Sequence, residues 1–477
     1  MPIPYWFTYR RQRPPRLRPS VTRLRAEDLE TRLTPATFNI PAGDTATFIA
    51  AINSCNVNNQ PDTIELAAGS TYTFNTAVDA GDGGNALPTI IRDSLDANTV
   101  TIHGNGATLQ RATDAGTPLF RFLRIGVFPD NVSVSISNLT LTGGDAGTNK
   151  GGAILQQSGD LTISGCTFQN DHGDSGGAIY DTTTDTSPRF VSISNSTFTG
   201  NAATNTLSGR GGAVSLSGAS GLTVTGSQFT GNTSVSDGGA IQVQTSSGAV
   251  SIFGSQFSQN TAGKNGSGGA VLIQAVAVTI ANASVQHNTS GGSGGGVWVQ
   301  GAPAMISNSV LSSNTCGGSG GGLFSQGTTT ITKSALQNNT SGGTGGGVFA
   351  QSQSLTLSDD TLSGNQVTSS TAGGGGVYCQ AKTLSMVDCT VDTNRAGNGG
   401  GVAFVTGATT GTITNSTITD NRAFFGFATG GGIEVTGNGV LSIGNTIVAG
   451  NGFDPGVSNG TGPDIGGPVT SLGYNLI

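Results

Sequence analysis

Four aromatic residues recur at one position of a repeating unit: Trp298, Phe324, Phe349 and Tyr378. Two residues further on stands a glutamine, in a column that reads Gln244, Gln274, Gln300, Gln326, Gln351 and Gln380. Aromatic faces stack on the C–H surfaces of sugar rings, and amides hydrogen-bond sugar hydroxyls. The paired columns are therefore a candidate glycan- or partner-binding face. They also admit an architectural reading, in which like side chains on neighbouring strands stabilise one another. Both readings stand at the level of sequence.

Groups for acid–base or covalent chemistry are sparse. Glycoside hydrolysis needs two carboxylates around the scissile bond. Elimination from a uronic acid needs a base, usually Arg or Lys, and often Ca²⁺ held by several carboxylates. After residue 130 the cations are only Lys150, Arg189, Arg210, Lys264, Lys333, Lys382, Arg395 and Arg422, one to a repeat or fewer. Asp359-Asp360 occupies a place that other repeats fill with Asn-Ser and reads as turn chemistry. His103, His172 and His287 sit in unrelated repeats, and His287 fits a corner. Gly291–Gly296 lacks the Lys-Ser/Thr of a phosphate loop, and no nucleophile-elbow or zinc-protease motif is present. Asp79–Asn85 reads as a plain loop rather than a Ca²⁺ site, and Phe424-Phe425-Gly426-Phe427 as core cover. No catalytic residue, metal ligand set or cofactor is assigned.

The elements that would position the two columns come from the repeat. One apolar column runs Ile136, Ile163, Ile193, Val224, Ile252, Ile280, Ile306, Ile331, Leu357, Met386, Ile413, Ile443. Five residues later runs a second, from Leu141, Phe168, Phe198, Phe229 and Phe257 to Val448. Three residues after that come Gly144 and Asp171, then Asn201, Asn232, Asn260, Asn288, Asn314, Asn339, Asn365, Asn394, Asn421 and Asn451. Gaps of 25 to 31 residues do not disturb this register. Asn tolerates the left-handed conformation of a tight corner, and stacked amides form hydrogen-bonded ladders. A Gly-Gly corner follows, then a second strand with apolar residues at alternate positions, such as Val297 and Val299.

A strand pair of this size cannot bury its own apolar face, but stacked coils bury a continuous core. The expected fold is all-β: a right-handed parallel β-helix solenoid of about 12 coils. At one strand spacing per coil it is a rod of roughly 55–60 Å. Thr47–Cys55 reads as a short amphipathic helix capping the N-terminal end, Asp62–Phe74 as the first strands and Thr99–Leu109 as an early coil. The expected organisation is an Arg-rich leader or tail over 1–37, a cap with first coils over 38–129, and repeats over 130–477.

Composition agrees. Gly is 78 of 477 residues, charged residues 10% and aromatics 6%, which is poor material for helices. The net charge of −7 hides an Arg-rich front; the rest carries 12 basic and 24 acidic residues, about −12. That balance argues against a nucleic-acid surface. No apolar run is long enough for a transmembrane helix. Five cysteines without paired spacing read as small buried thiols.

The Gly-Gly-[Ala/Gly]-apolar corner (Gly152-Ala153-Ile154, Gly177-Ala178-Ile179, Gly239-Ala240-Ile241), with Phe-x-x-Asn (Phe198–Asn201, Phe229–Asn232, Phe257–Asn260), resembles the polymorphic outer-membrane protein repeat. The resemblance covers residues 130–451 and implies a right-handed parallel β-helix used as a secreted adhesin or surface antigen. Phe48–Asn53, Asp62–Leu66 and Ile102–Ala107 resemble the capping region of large secreted bacterial β-helix proteins, and Ile447–Asn451 with Leu472–Ile477 resembles their last coil. Leu29–Thr37 after the Arg-rich stretch resembles the leader of some bacterial surface proteins, which implies export. The expectation is an exported, non-catalytic surface or adhesion protein, located extracellularly, at the cell surface or associated with an outer membrane. Its expected partner is a polysaccharide or cell-surface component. The alternative is a polysaccharide lyase or glycoside hydrolase on a β-helix scaffold.

Overall fold

The computed structural model describes residues 35–477 apart from 92–98, 128–130, 183–188 and positions 59, 219, 246, 302, 352, 406, 427 and 458. The Arg-rich segment before residue 35 lies outside the described residues. From the strand Ala36–Ile40 onward the chain winds as a right-handed parallel β-solenoid of about 15 turns with one helix. The turns beyond a dozen lie mainly at the front. There Ala36–Ile40, Asp62–Leu66 and Thr99–Arg111 stack in register beneath Ser133–Thr142 without the Asn and Gly-Gly signature of later repeats.

Three parallel sheets run along the rod, with 28, 11 and 13 strands among the described residues. A middle turn gives two consecutive strands to the largest sheet, as Val278–Ala281 and Ser284–Gln286 do. A two-residue strand such as Thr289–Ser290 goes to the second sheet, and a strand such as Val297–Gln300 to the third. Like sits on like: Ile193 lies between Ile163 and Val224, and Phe198 between Phe168 and Phe229. The Phe168, Phe198, Phe229 and Phe257 rings stack inside the rod at 4.7, 4.7 and 4.9 Å. That distance is the strand spacing itself, so the stack follows from register.

The asparagine column is a continuous buried ladder. Asn314 Nδ2 donates to Asn339 Oδ1 (3.0 Å) and to the Val285 carbonyl (2.9 Å), and Asn314 Oδ1 accepts from both the main-chain N–H and Nδ2 of Asn288 (3.0 Å each). One expectation is corrected. The left-handed corner residue is not the ladder Asn but the one before it: His287, Asn338 and Thr393 each have φ of 55°. The left-handed residue swings the chain through the corner and so turns the next side chain inward, where its amide meets its neighbours along the axis.

The glycine corner has two separate causes. Gly320 has φ +73°, and a Cβ there would stand 2.5 Å from the Leu323 carbonyl oxygen. At Gly321 a Cβ would stand 2.3 Å from Gly346 O on the next turn. One glycine supplies the bend; the other permits the coils to approach.

The N-terminal helix spans Thr45–Cys55, two residues longer than its sequence pattern. Asp44 caps it, accepting the Thr47 N–H (2.9 Å) and the Thr47 hydroxyl (2.6 Å). Phe48, Ala51, Ile52 and Cys55 form its buried stripe, and Phe48 packs edge-on against Tyr72 at 6.1 Å. All five cysteines are buried and free, and burial pushes the Cys55 thiol up to about 12.

Candidate functional site

Trp298, Phe324, Phe349 and Tyr378 pair in register on the third sheet and form the expected column. Their orientation decides what they can do. The ring planes lie within 9° of parallel, with centroids 5.7, 4.7 and 5.5 Å apart along the rod. The rings face one another, so Phe324 and Phe349 present edges and are only 8% exposed. At one end of the stack Trp298 meets Leu272. At the other end Tyr378 is followed in register by Ala403, whose side chain is too small to cover the ring, and then by Glu434.

The glutamines behave in the same way. Gln274 donates to Gln300, Gln300 Nε2 to Gln326 Oε1 (2.9 Å), and Gln326 Nε2 to Gln351 Oε1 (3.4 Å). Gln244 stands apart from this run and accepts from Arg210 Nη1 at 3.5 Å. Among the described residues the ladder stops at Gln351, and Gln380, on the next turn, is not one of its rungs. The hydrogen-bonded glutamine ladder thus ends one turn before the ring stack, and Gln380 stands two residues after Tyr378 on the stack's last turn.

Two adjoining cavities open there and share Gln380. One of about 520 Å³ follows Gln326, Gln351, Gln353 and Lys382. The other, of about 200 Å³, lies between Tyr378 and Glu434, with Asn398 and Thr436 on its walls. Glu434 Oε1 accepts the Thr429 hydroxyl at 3.0 Å. Burial raises the Glu434 carboxyl above the usual carboxylate range, and no cation among the described residues lines its cavity to oppose this. Burial and the Glu434 charge both raise the Tyr378 phenol.

Glu434, Gln353 and Lys382 are absent from the sequence-level candidates. Glu434 was within reach: it stands at the outward position between inward Ile433 and Val435, two turns beyond Tyr378 in the same column. Elsewhere, Asp359 takes a left-handed φ of 57°, Asp79 accepts hydrogen bonds from Gly81 and Thr89 of its own loop, and the Arg395 guanidinium sits 4.2 Å from the Phe424 ring centroid. Phe427 lies outside the described residues. The cations are less scattered than their spacing implied. Lys150 and Asp174 share a cavity with Asp82 and Arg121, which the count from residue 130 onward left out. Among the described residues, no group of three or more His, Cys, Asp or Glu is placed to hold a metal, and no helix is long and apolar enough to cross a membrane.

Among solved structures the chain is similar to the A-module of mannuronan C-5 epimerase AlgE6 from Azotobacter vinelandii, at 12% identity and a TM-score of 0.40, over 92% of this chain and 98% of that one. No curated protein matches the sequence. The family model described as the right handed beta helix region matches residues 125–304 and 269–453. Those matches span well over half of the chain, and with the pairing described above they establish that it belongs to the right-handed β-helix family.

Proposed function

We propose that this is an exported surface protein that binds a glycan where its aromatic and glutamine columns end, at Tyr378, Gln380 and Glu434. The observation that carries this reading is that the glutamine ladder and the ring stack end within one turn of each other, beside two cavities. Within the stack, ring faces and amides are used by their neighbours; Tyr378 is stacked on Phe349 by one face only, Gln380 stands outside the glutamine ladder, and two cavities meet there. A cavity of about 200 Å³ walled by a ring, an amide and a carboxylate suits one sugar ring. The larger cavity gives room for a chain to continue past Gln351 and Lys382. Among the described residues lining either cavity, Glu434 is the single acid. Hydrolysis by paired carboxylates lacks its second partner there, so binding without cleavage is the reading favoured. The resemblance of residues 130–451 to polymorphic outer-membrane protein repeats supports export and a surface location.

The test is retention on an array of neutral and acidic glycans. Tyr378→Ala and Gln380→Ala are each expected to weaken retention about five- to tenfold, the loss of one stacking or amide contact of about 1 kcal/mol. Phe324→Ala is expected to leave retention unchanged. Retention that survives Tyr378→Ala, or that Phe324→Ala abolishes instead, would overturn the assignment.

A further inference from the structure

The ring column on the third sheet ends in a slot of defined size. Tyr378 stacks on Phe349 with one face, and the residue in register beyond its other face is Ala403. The next residue of that column is Glu434. Two strand spacings, about 10 Å, separate Tyr378 from Glu434 along the rod. One ring is thus missing from the column, and the cavity of about 200 Å³ lies between an aromatic residue and a carboxyl.

The carboxyl is an unusual wall. Glu434 is only 8% exposed. Its Oε1 accepts the Thr429 hydroxyl at 3.0 Å, and among the described residues Oε2 has no hydrogen-bond partner. Oε2 reaches back to the turn of Tyr378, where a Cβ on Gly373, a residue of the same cavity, would stand 3.1 Å from it. A buried carboxylate ordinarily keeps a cation, because the desolvated charge is otherwise uncompensated. Among the described residues none is in place. Arg395 pairs with Asp454 at 2.6 Å, Arg422 Nη1 donates to the Phe453 carbonyl at 3.2 Å, and Lys382 lines the neighbouring cavity. Tyr378 and Glu434 are the only titratable groups among the described residues of the cavity wall.

These two walls select by shape and by charge. An aromatic face takes the C–H side of a sugar ring. An uncompensated carboxylate repels a uronate, gains no countercharge from a neutral hexose, and gives an ammonium a charge-assisted hydrogen bond. The molecule as a whole favours the same sign. Past the Arg-rich front it carries 12 basic and 24 acidic residues, so its field draws in a cationic chain.

We infer that the sugar taken at Tyr378 is an amino sugar: a hexosamine ring lies where Ala403 leaves the ring column empty, stacked on Tyr378, with its ammonium on Glu434 Oε2. This rests on the reading of the cavity as a glycan site and narrows it to one class of sugar. Gln380, Asn398 and Thr436 bring amide and hydroxyl groups to the same cavity for the sugar hydroxyls. A basic peptide also bears ammonium groups, but a slot one ring thick beside an aromatic face suits a sugar better than a lysine chain.

Calorimetric titration of the full chain at neutral pH with tetramers of glucosamine, N-acetylglucosamine and glucose, and with tetralysine, tests this directly. The glucosamine tetramer is expected to bind about tenfold or more tightly than the other three, by a margin that added salt reduces. Glu434→Gln should bring it down toward the level of the glucose tetramer. The glutamine keeps the size of the side chain and an acceptor for Thr429, and circular dichroism confirms that the variant folds. Tyr378→Ala should weaken every sugar tetramer that binds. Equal binding of the three sugars, tetralysine bound as tightly as the glucosamine tetramer, or a preference that survives Glu434→Gln would overturn the amino-sugar assignment and leave the glycan site standing. Binding of no sugar tetramer, or sugar binding that Tyr378→Ala leaves unmoved, would overturn both.

Discussion

Asp360 stands in a slot where Ser196, Ser227, Ser255, Ser309, Ser334 and Ser416 each accept a main-chain N–H from the turn below. Its Oδ1 does the same for Ser334 (2.8 Å), and Oδ2 accepts the Ser358 N–H (3.0 Å). A carboxylate is a poor tenant there, and burial raises Asp360 to about 7. Asp171, the first rung below the asparagine ladder, is fully buried, with Oδ2 lacking a hydrogen-bond partner where an Asn would place its NH₂. Burial raises it well above the usual carboxylate range too. In both cases the folded state holds the proton more tightly than the unfolded chain. Their contribution is complete below the unfolded value and fades as pH rises through the folded one. For Asp360 the window runs from about pH 4 to about 7 and is worth on the order of 2–4 kcal/mol. Asp360→Ser and Asp171→Asn should therefore stabilise the rod more at pH 8 than at pH 4, as urea denaturation at the two pH values will measure. A stabilisation equal at both would mean that neither proton matters.

A ladder is worth more than its rungs taken singly. Asn314→Ala removes four hydrogen bonds and strands the buried Asn288 N–H and Val285 carbonyl. The expected cost is about 3 kcal/mol, roughly one unsatisfied group's penalty for each of the two. A fall in Tm well beyond that caused by Ser312→Ala, on the surface of the same turn, checks it. The ladder itself was legible in the sequence, because a column in a solenoid is an interval in a chain: ten asparagines at one register require ten coils stacked in step. What the interval leaves open is torsion. Spacing put Trp298, Phe324, Phe349 and Tyr378 in line but said nothing of ring orientation, and the rings turned their faces to one another. The same gap hid the left-handed residue, one place earlier than the conspicuous Asn. It also hid the charged cavity, because Asp82 and Arg121 come from front turns that lack the repeat signature and reach Lys150 only through the winding of the chain.

Over the whole molecule each turn touches chiefly the turns above and below it, so stability is close to a sum of local terms with nearest-neighbour coupling. The single helix matters out of proportion to its length. Without it the apolar interior of the first turns, Ile64, Tyr72 and Ile102, would meet water at one end. Phe48 is the plug: it is fully buried, sits on Tyr72, and belongs to the same continuous core as residues far along the rod. Phe48→Ala should remove about 3–5 kcal/mol of local packing. In a globular two-state domain that loss would lower protection from hydrogen exchange everywhere. In a linear array it should be confined. Exchange in Asp62–Leu66 and Thr99–Arg111 is expected to quicken about a hundredfold or more, the rate equivalent of the lower bound of that loss. Exchange in strands from Ile193 onward should stay at its original rate, because the intervening turns keep their own neighbours. Hydrogen-exchange mass spectrometry resolves the two cases. A uniform rise along the rod would show that the turns unfold together and that the cap governs the whole molecule rather than its first layers.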